Sequence, residues 1–171
     1  MTVQVETTVR PATPADAAAI ARIYNEGIED RIATFETRLR TPDEIEARIA
    51  SGEPLIVAER SGAVVGFASW LPYSDREVYA GVGNYTVYVA RGARGARVGS
   101  ALMRRLIADA EAAGLWKLLS IILASNEASV ALARRHGFRI VGVHERHARL
   151  DGEWRDAILV ERLIGEAARD D

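Results

Sequence analysis

The spacing of apolar residues predicts two helices near the start of the chain. Residues 13–16, Thr-Pro-Ala-Asp, combine an N-cap residue, a proline in the first turn and a carboxylate three positions on, which is typical of a helix start. Residues 41–44, Thr-Pro-Asp-Glu, predict a second, shorter helix in the same way. The connector at residues 30–40 carries Phe35, a large aromatic that we expect to be buried against the core or a ligand. The apolar stripe of the first helix is predicted at Ile20, Ile23, Tyr24, Gly27 and Ile28.

Short apolar runs rich in β-branched and aromatic residues predict the strands of a sheet. Residues 60–63 separate two such runs as a hairpin would, and Asp151 and Gly152 predict a second hairpin. Two further helices are predicted, one ending at Gly114 and one covering residues 127–136. The strands are predicted at residues 55–59, 64–70, 85–89, 118–123, 140–143 and 158–163.

The resulting element order, β-α-α-β-β-β-α-β-α-β-β, predicts a single α/β domain over residues 1–171 with its core at about residues 8–165. The length of 171 residues allows one sizeable core. Hydrophobic residues make up 49% of the chain and charged residues 27%, which is a globular balance. No stretch has the composition of a linker, and no segment repeats.

The charge and hydropathy of the chain exclude several classes of partner. A net charge of −2 argues against a protein that coats nucleic acid through overall positive charge. No apolar run approaches the roughly 18–20 residues that cross a bilayer, and the first residues lack the pattern of a signal peptide. We therefore expect a cytoplasmic protein with no nucleic-acid or membrane partner.

The residue inventory also limits the chemistry. The chain has no cysteine, so it has no disulfide, no thiolate zinc site and no cysteine nucleophile, and it has no G-x-S-x-G motif for a serine nucleophile. Its histidines are His136, His144 and His147. His144 and His147 stand at H-x-x-H spacing without a third ligand, so we expect no metal site and interpret both as surface or β-edge residues.

The most unusual stretch is the loop at residues 91–100, Arg-Gly-Ala-Arg-Gly-Ala-Arg-Val-Gly-Ser, which joins a strand to a helix. The first N–H groups of a helix have no internal partner and form its positive end, glycines let the backbone approach an anion, and arginines add donors. The loop lacks the Lys-Ser/Thr of a P-loop and the G-x-G-x-x-G of a dinucleotide fold. We expect it to bind a phosphate group, and a basic, RNA-attracting or merely solvated loop remains the alternative.

Several short motifs occur in an order that characterises one family. They are Ala33 to Thr37, Gly66-Phe67-Ala68, Val87-Tyr88-Val89, Asn126 to Ser129 and His136-Gly137-Phe138. With these motifs and its arginine-glycine loop, the chain resembles the GNAT superfamily of N-acetyltransferases, and more narrowly the phosphinothricin and methionine sulfone or sulfoximine acetyltransferases. The resemblance spans nearly the whole chain and implies a single-domain GNAT fold, with a mixed, mostly antiparallel sheet flanked by helices.

The resemblance implies acetyl-CoA as co-substrate, with no metal. The backbone of Val87, Tyr88 and Val89 would pair with the pantetheine arm. Asn126 would bond to the pantetheine region, although it is equally a candidate N-cap of its helix, and Arg135 would approach the cofactor from that helix. The pyrophosphate would lie at Arg94, Gly95, Ala96, Arg97, Val98, Gly99 and Ser100.

For the acceptor, the resemblance implies a pocket formed by the connector and by residues 70–85. Arg76 matches a position that would pair with an acceptor carboxylate, although it is equally consistent with a solvated loop arginine. The substrate-binding residues implied are Thr34, Phe35, Arg76, Tyr79, Asn84 and Tyr85.

The chain departs from this group at positions that matter for catalysis. Asn84 stands where the group has a glutamate, Ala133 where it has a histidine or tyrosine, Ala80 where it has an arginine, and Arg97 where the loop has its first glycine. The Asn84 amide cannot act as a base, but it can position a water molecule. The catalytic candidates are therefore Asn84 in that role, Glu36 near the predicted mouth of the pocket, and Tyr88 on the strand. Asp75, Glu77, Tyr85 and a water chain to solvent are the alternatives.

The function that these inferences imply is transfer of an acetyl group from acetyl-CoA to the amine of a small amino-acid-like molecule by direct attack, as in antimetabolite resistance. A polyamine or a protein N-terminus is an alternative acceptor. A non-catalytic acyl-CoA-binding domain is a further alternative, because Asn84 and Ala133 replace candidate catalytic groups. The family also implies a homodimer, for which Trp116 and Trp154 are candidate interface residues.

Overall fold

The apolar runs of the sequence form a seven-stranded sheet in the computed structural model, which describes residues 5–169. Its strands are β1 (Thr8–Pro11), β2 (Leu55–Arg60), β3 (Ala63–Pro72), β4 (Val82–Val89), β5 (Lys117–Leu123), β6 (Arg139–Leu150) and β7 (Glu153–Leu163). The α-helices of the described residues are α1 (Ala17–Glu29), α2 (Pro42–Ala50), α3 (Val98–Ala112) and α4 (Glu127–Arg135). None of these helices is long and apolar enough to span a bilayer. The predicted element order and the mixed α/β fold are confirmed.

The two predicted helix starts fold differently. At α2 the side chain of Thr41 accepts a hydrogen bond from the Glu44 N–H, and the Glu44 carboxylate accepts one from the Thr41 N–H, so the predicted cap is confirmed. Before α1, residues 14–16 instead form one 3₁₀ turn, and the α-helix begins three residues later than its cap signal. Asp16 accepts from the Thr13 N–H at 2.8 Å and from the Arg10 guanidinium at 2.8 and 2.9 Å.

The sheet follows the order β1-β2-β3-β4-β5-β7-β6, and each neighbouring pair is antiparallel except β4–β5. The parallel pairing of β4 with β5 covers only residues 82–84 against 117–119. Beyond this point β4 stays paired with β3 as far as Val89, while β5 stays paired with β7 as far as Leu123. The two strands therefore separate and open a gap in the middle of the sheet.

Helices cover both faces of the sheet. Phe67 of β3 is fully buried and stacks on Tyr88 of β4, which stacks on Tyr24 of α1, with ring centroids 5.0 and 4.9 Å apart. A Cβ atom on the neighbouring Gly66 would meet Leu102 of α3 at 3.0 Å. Because adjacent residues of a strand point to opposite faces, α1 and α3 pack on opposite sides of β3. This arrangement holds the ends of α1 and α3 at the mouth of the gap.

The last two strands are longer than predicted, at residues 139–150 and 153–163, and they form a hairpin whose turn lies at Asp151 and Gly152 as expected. The two tryptophans considered for an interface differ in exposure. Trp116 packs directly on Gly81, where an added Cβ would lie 1.9 Å from its ring. Trp154 on β7 is 58% exposed and lies beside the Arg149 guanidinium.

Candidate active site

Two cavities that share part of their lining lie along β4, where this strand separates from β5. The larger cavity, here called the cleft, has a volume of about 800 Å³ and extends from Val87 of β4 past the start of α3 to Arg135 of α4. The smaller cavity, of about 280 Å³, lies between the connector, β4, β5 and β6. The residues that line both cavities are Ala33, Val87, Tyr88, Asn126, Ser129 and Leu132.

The loop before α3 bends through left-handed backbone conformations. Gly95 has φ +79° and Arg97 has φ +63°, and α3 begins directly afterwards at Val98. Arg97 thus has the backbone conformation of the glycine that it replaces in the expected motif, and glycine adopts this conformation without steric cost. The first N–H groups of α3 have no partner within the helix and lie at the wall of the cleft, as an anion site requires.

The arginines of the loop divide into two groups. Arg91 donates to Asp30 at 2.8 Å, and Arg94 lies 2.7 Å from the other oxygen of that carboxylate. These contacts, with the Arg91 hydrogen bond foremost, hold the pKa of Asp30 below its ordinary value. They tie the loop to the end of α1 and occupy both guanidinium groups.

A second set of arginines faces the cleft without an ion pair among residues 5–169. These residues are Arg97 in the loop, Arg104 on α3 and Arg135 on α4. Their charges are therefore available to a phosphorylated ligand. Arg94 also lines the cleft, although its guanidinium contacts Asp30.

A serine and a histidine meet near the start of α3. The Ser100 hydroxyl and His136 Nε2 are 2.9 Å apart. Burial, followed by the charges of Arg104, Arg135 and Arg162, lowers the pKa of His136 below its ordinary value. A neutral imidazole is therefore favoured beside the positive end of the helix.

Asn126 caps α4 and lines both cavities. Its side-chain oxygen accepts a hydrogen bond from the Ser129 N–H at 3.2 Å, which confirms the N-cap interpretation. One end of the amide is used in this way, and the amide NH₂ group supplies further donors at the junction of the two cavities.

The wall of the cleft at β4 consists of main chain as well as side chains. Residues 85–89 pair with β3 on one side, and β5 has already separated on the other. Alternate N–H and C=O groups of this strand point away from β3 and lack a ladder partner there. An extended ligand arm can add to this edge as a strand would.

Most of the residues predicted to bind the cofactor therefore lie together in the cleft. Ala96 is half-buried and is not among the residues of its lining. Those that do line the cleft are Val87, Tyr88, Val89, Arg94, Gly95, Arg97, Val98, Gly99, Ser100, Asn126 and Arg135.

The residues predicted to bind the acceptor divide in the same way. Thr34, Phe35, Asn84 and Tyr85 line the smaller cavity. Arg76 and Tyr79 do not line either cavity: both are exposed on the loop between β3 and β4, where Tyr79 packs edge-on against Tyr73. The contact between Tyr73 and Tyr79 lies within this loop. The connector, through Thr34 and Phe35, forms the wall of the smaller cavity instead.

The predicted catalytic groups have environments that limit their roles. Glu36 forms an ion pair with Arg40 and does not line either cavity. Tyr88 lines both cavities, but burial raises its pKa, so its phenol stays protonated at neutral pH and is a donor rather than a base. Burial raises the pKa of Tyr85 in the same way. Asn84 is exposed and opens onto the smaller cavity.

The structure places one unexpected titratable residue in the smaller cavity. His147 of β6, interpreted from the sequence as a surface or β-edge histidine, lines this cavity although it is exposed. Its ring lies edge-on to Phe35 at 6.2 Å and stacks on His144 at 4.5 Å. In residues 5–169, no group of three or more His, Asp or Glu side chains is arranged to hold a metal ion.

Comparison with known proteins identifies the family. The sequence model of the acetyltransferase (GNAT) family matches residues 20–138, which include the cleft, the loop and α4. The chain belongs to the acetyltransferase (GNAT) family. This acetyltransferase is 32% identical over 161 residues to the L-methionine sulfoximine/L-methionine sulfone acetyltransferase of Pseudomonas paraeruginosa, covering 90% of this chain and 92% of that protein. It is 34% identical over 158 residues to the phosphinothricin N-acetyltransferase of Streptomyces viridochromogenes, covering 90% of this chain and 86% of that protein.

A solved structure supports the same assignment. The GNAT superfamily phosphinothricin acetyltransferase of Sinorhizobium meliloti, crystallised in complex with AcCoA, has a TM-score of 0.89 and 29% identity, covering 96% of this chain and 92% of that one. The chain described here is thus an acetyl-CoA-dependent N-acetyltransferase.

Proposed function

We propose that this acetyltransferase moves the acetyl group of acetyl-CoA to the amine of a small amino-acid-like acceptor of the phosphinothricin or methionine sulfone type. The observation that carries the proposal is that a large, arginine-lined cleft and a smaller cavity share lining residues, among them Val87, Tyr88 and Asn126. The names of the two curated relatives agree with an acceptor of this size and class.

The cleft suits the phosphorylated end of acetyl-CoA. The N–H groups of residues 98–100 would hold the pyrophosphate, and the unpaired arginines, Arg97, Arg104 and Arg135, would contact its phosphates. The free edge of residues 87–89 would pair with the pantetheine arm. The co-substrate would then supply a thioester carbon at the junction, within reach of an amine in the smaller cavity.

The lining of the smaller cavity discriminates between acceptors. Its polar groups are hydroxyls, amides and one imidazole, and among the described residues neither cavity has an Asp or Glu in its lining. A polyamine has several ammonium groups that need carboxylate partners, so this lining disfavours it. The modest volume of about 280 Å³ suits a free amino acid better than a folded protein terminus.

Proximity supplies much of the rate acceleration in such a reaction. Two reactants held in contact with the correct orientation can lower the barrier by roughly 7–11 kcal/mol. The protein then needs to remove a proton from the acceptor ammonium and to polarise the thioester carbonyl. The phenol of Tyr88, which burial keeps protonated, has an O–H group to donate where the two cavities share lining residues.

The homodimer expected for this group is also part of the proposal. The outer face of the β6–β7 hairpin carries exposed apolar side chains, including Val143 and Trp154. Burying this face against a second copy would remove them from water. Light scattering of the purified chain measures the oligomeric state directly.

The test of the proposed function is thiol release from acetyl-CoA with a panel of amines, combined with calorimetry of CoA binding. The panel contains methionine sulfone, phosphinothricin, spermidine and a short peptide with a free N-terminus. We expect release with the two amino-acid analogues and an acetylated amine by mass spectrometry. Tight CoA binding without release for any amine would instead favour the non-catalytic binding domain.

A further inference from the structure

Among residues 5–169, no carboxylate lines the smaller cavity, although the resemblance implies a carboxylate base there. Asn84 has no basic atom, Ala133 is fully buried, and Glu36 is paired with Arg40 outside the cavity. The two tyrosines of the cavity are kept protonated by burial. Among the described residues of its lining, His147 alone carries an imidazole, the side chain that most often serves as a general base.

The backbone of β6 directs this histidine toward the cavity. The register of β6 against β7 shifts between His144, which faces Ala157, and Ala148, which faces Arg155. Three residues of β6, 145–147, therefore stand opposite the single residue Asp156 of β7. A bulge of this kind bends its strand and re-aims side chains, and such bulges are frequent beside active sites.

The bulge is held in place by its own contacts. Arg146 adopts a left-handed conformation with φ +50°, and its N–H donates to the Asp156 carboxylate at 2.7 Å. The stacked ring of His144 and the edge contact with Phe35 hold the His147 imidazole on both sides. The connector and the bulge thus meet across the smaller cavity through this pair of rings.

We propose that His147 is the general base of the acetyl transfer, an inference that rests on the proposed function. The imidazole takes one proton from the acceptor ammonium, and the neutral amine attacks the thioester carbonyl carbon. The new C–N bond forms as the C–S bond breaks, and the departing thiolate takes up the second amine proton. His147 is exposed and passes the first proton to solvent, so one proton is released in each turnover.

The charged and titratable groups around this imidazole come from three elements. Glu145, Arg146 and the ring of His144 flank it on β6, and Asp156 faces the bulge from β7. The connector contributes the uncharged ring of Phe35. The cavity contributes the phenol groups of Tyr85 and Tyr88, which are protonated at neutral pH.

The test compares His147→Gln with Arg149→Gln, a control on the same strand whose side chain contacts Gly152 and Trp154 and does not line either cavity. We expect H147Q to lower kcat/KM for the acceptor by about 100-fold or more, because general base catalysis contributes about 10²–10⁴-fold. The acidic limb of the wild-type pH–rate profile should disappear in this variant. R149Q should keep that limb and most of the activity, and the Kd for CoA should stay within twofold in both variants.

A second readout does not depend on turnover. The His147 ring signals are assigned by their absence from the NMR spectrum of H147Q, and methionine sulfone is then titrated into the wild-type complex with CoA. We expect the His147 ring signals to shift with the acceptor and those of His136 to stay in place. Added imidazole should also restore activity to His147→Ala.

The outcomes separate the two proposals. A variant H147Q that keeps its acidic limb and stays within threefold of wild-type kcat/KM, in an enzyme that acetylates amino-acid analogues, overturns the inference alone. Ring signals of His147 that do not respond to the acceptor overturn it as well. A wild-type chain that binds CoA but acetylates no amine refutes the proposed function and this inference with it.

Discussion

Arg97 offers a sharp test of the loop, because one residue combines a strained backbone with a charge in the cleft. Its φ of +63° and ψ of +14° are in the left-handed region, which costs a residue with a Cβ about 1–2 kcal/mol. Arg97→Ala keeps this cost, whereas Arg97→Gly removes it at the expense of about 0.4–1 kcal/mol through a more flexible unfolded chain. The glycine variant should therefore be more stable than the alanine variant by about 0.5–1 kcal/mol, or ~1–4 °C in Tm.

Both substitutions remove the same guanidinium from the cleft, so their effects on CoA binding should be nearly equal. For an exposed charge we expect a loss of about 1 kcal/mol, or about fivefold in Kd. Scanning calorimetry measures the Tm difference, and titration calorimetry at fixed salt measures the Kd. Arg91→Ala is the control, because Arg91 contacts Asp30 and does not line the cleft, and its Kd for CoA should change little. Equal Tm values for R97G and R97A, or an R91A defect as large as that of R97A, would refute the reasoning.

Two further predictions concern stability. Gly81→Ala should lower the free energy of unfolding in urea by about 2–3 kcal/mol, because the new Cβ would lie 1.9 Å from the Trp116 ring. Gly92→Ala is the control: its Cβ would have no atom within 4 Å, so it should stay within about 0.5 kcal/mol of wild type. A G81A variant as stable as wild type would contradict the packing of Trp116 on Gly81. The hydrogen bond from Arg10 is the main cause that lowers the pKa of Asp16, so this carboxylate stabilises the fold fully above its unfolded pKa of about 4. The advantage of wild type over Asp16→Asn should be constant at pH 5–7 and shrink as the pH falls through the lowered pKa. A difference that does not depend on pH would argue against the ion pair.

The order of elements could be predicted from sequence because its signals are local. The caps at residues 13–16 and 41–44, the glycines that end α3 and α4, and the apolar runs of β2 to β5 each specify their own element. The full length of the β6–β7 hairpin is not predicted by the sequence, because most of β6 is exposed, residues 144–147 are all polar, and two register shifts interrupt its alternation. Local periodicity contains no information about pairing with a distant strand.

The cleft was more predictable than the smaller cavity for a related reason. The residues at 87–89 and 94–100 are contiguous, so one strand, one loop and one helix start bring them together. The path of a long loop does not follow from its sequence position, and so Arg76 and Tyr79 were assigned to a cavity that neither lines. Their assignment rested on matched positions alone.

His147 was missed for a different reason. The surface or β-edge interpretation of His144 and His147 rests on the absence of a third metal ligand. On a regular strand, residues at this spacing would also point to opposite faces. The bulge between His144 and Ala148 removes that alternation and stacks the two rings. In the sequence, the four consecutive polar residues 144–147 interrupt the alternation of apolar and polar positions. Only the pairing of β6 with β7 shows that this interruption is a bulge.

The central claim, that the peptide N–H groups at the start of α3 hold a diphosphate, is tested most directly by amide NMR during a CoA titration. We predict that the backbone amide proton signals of residues 98–100 move downfield together, saturate with one CoA per chain, and respond far less to adenosine, which has no phosphate. Amide signals at these positions that stay unchanged while CoA binds would contradict the claim.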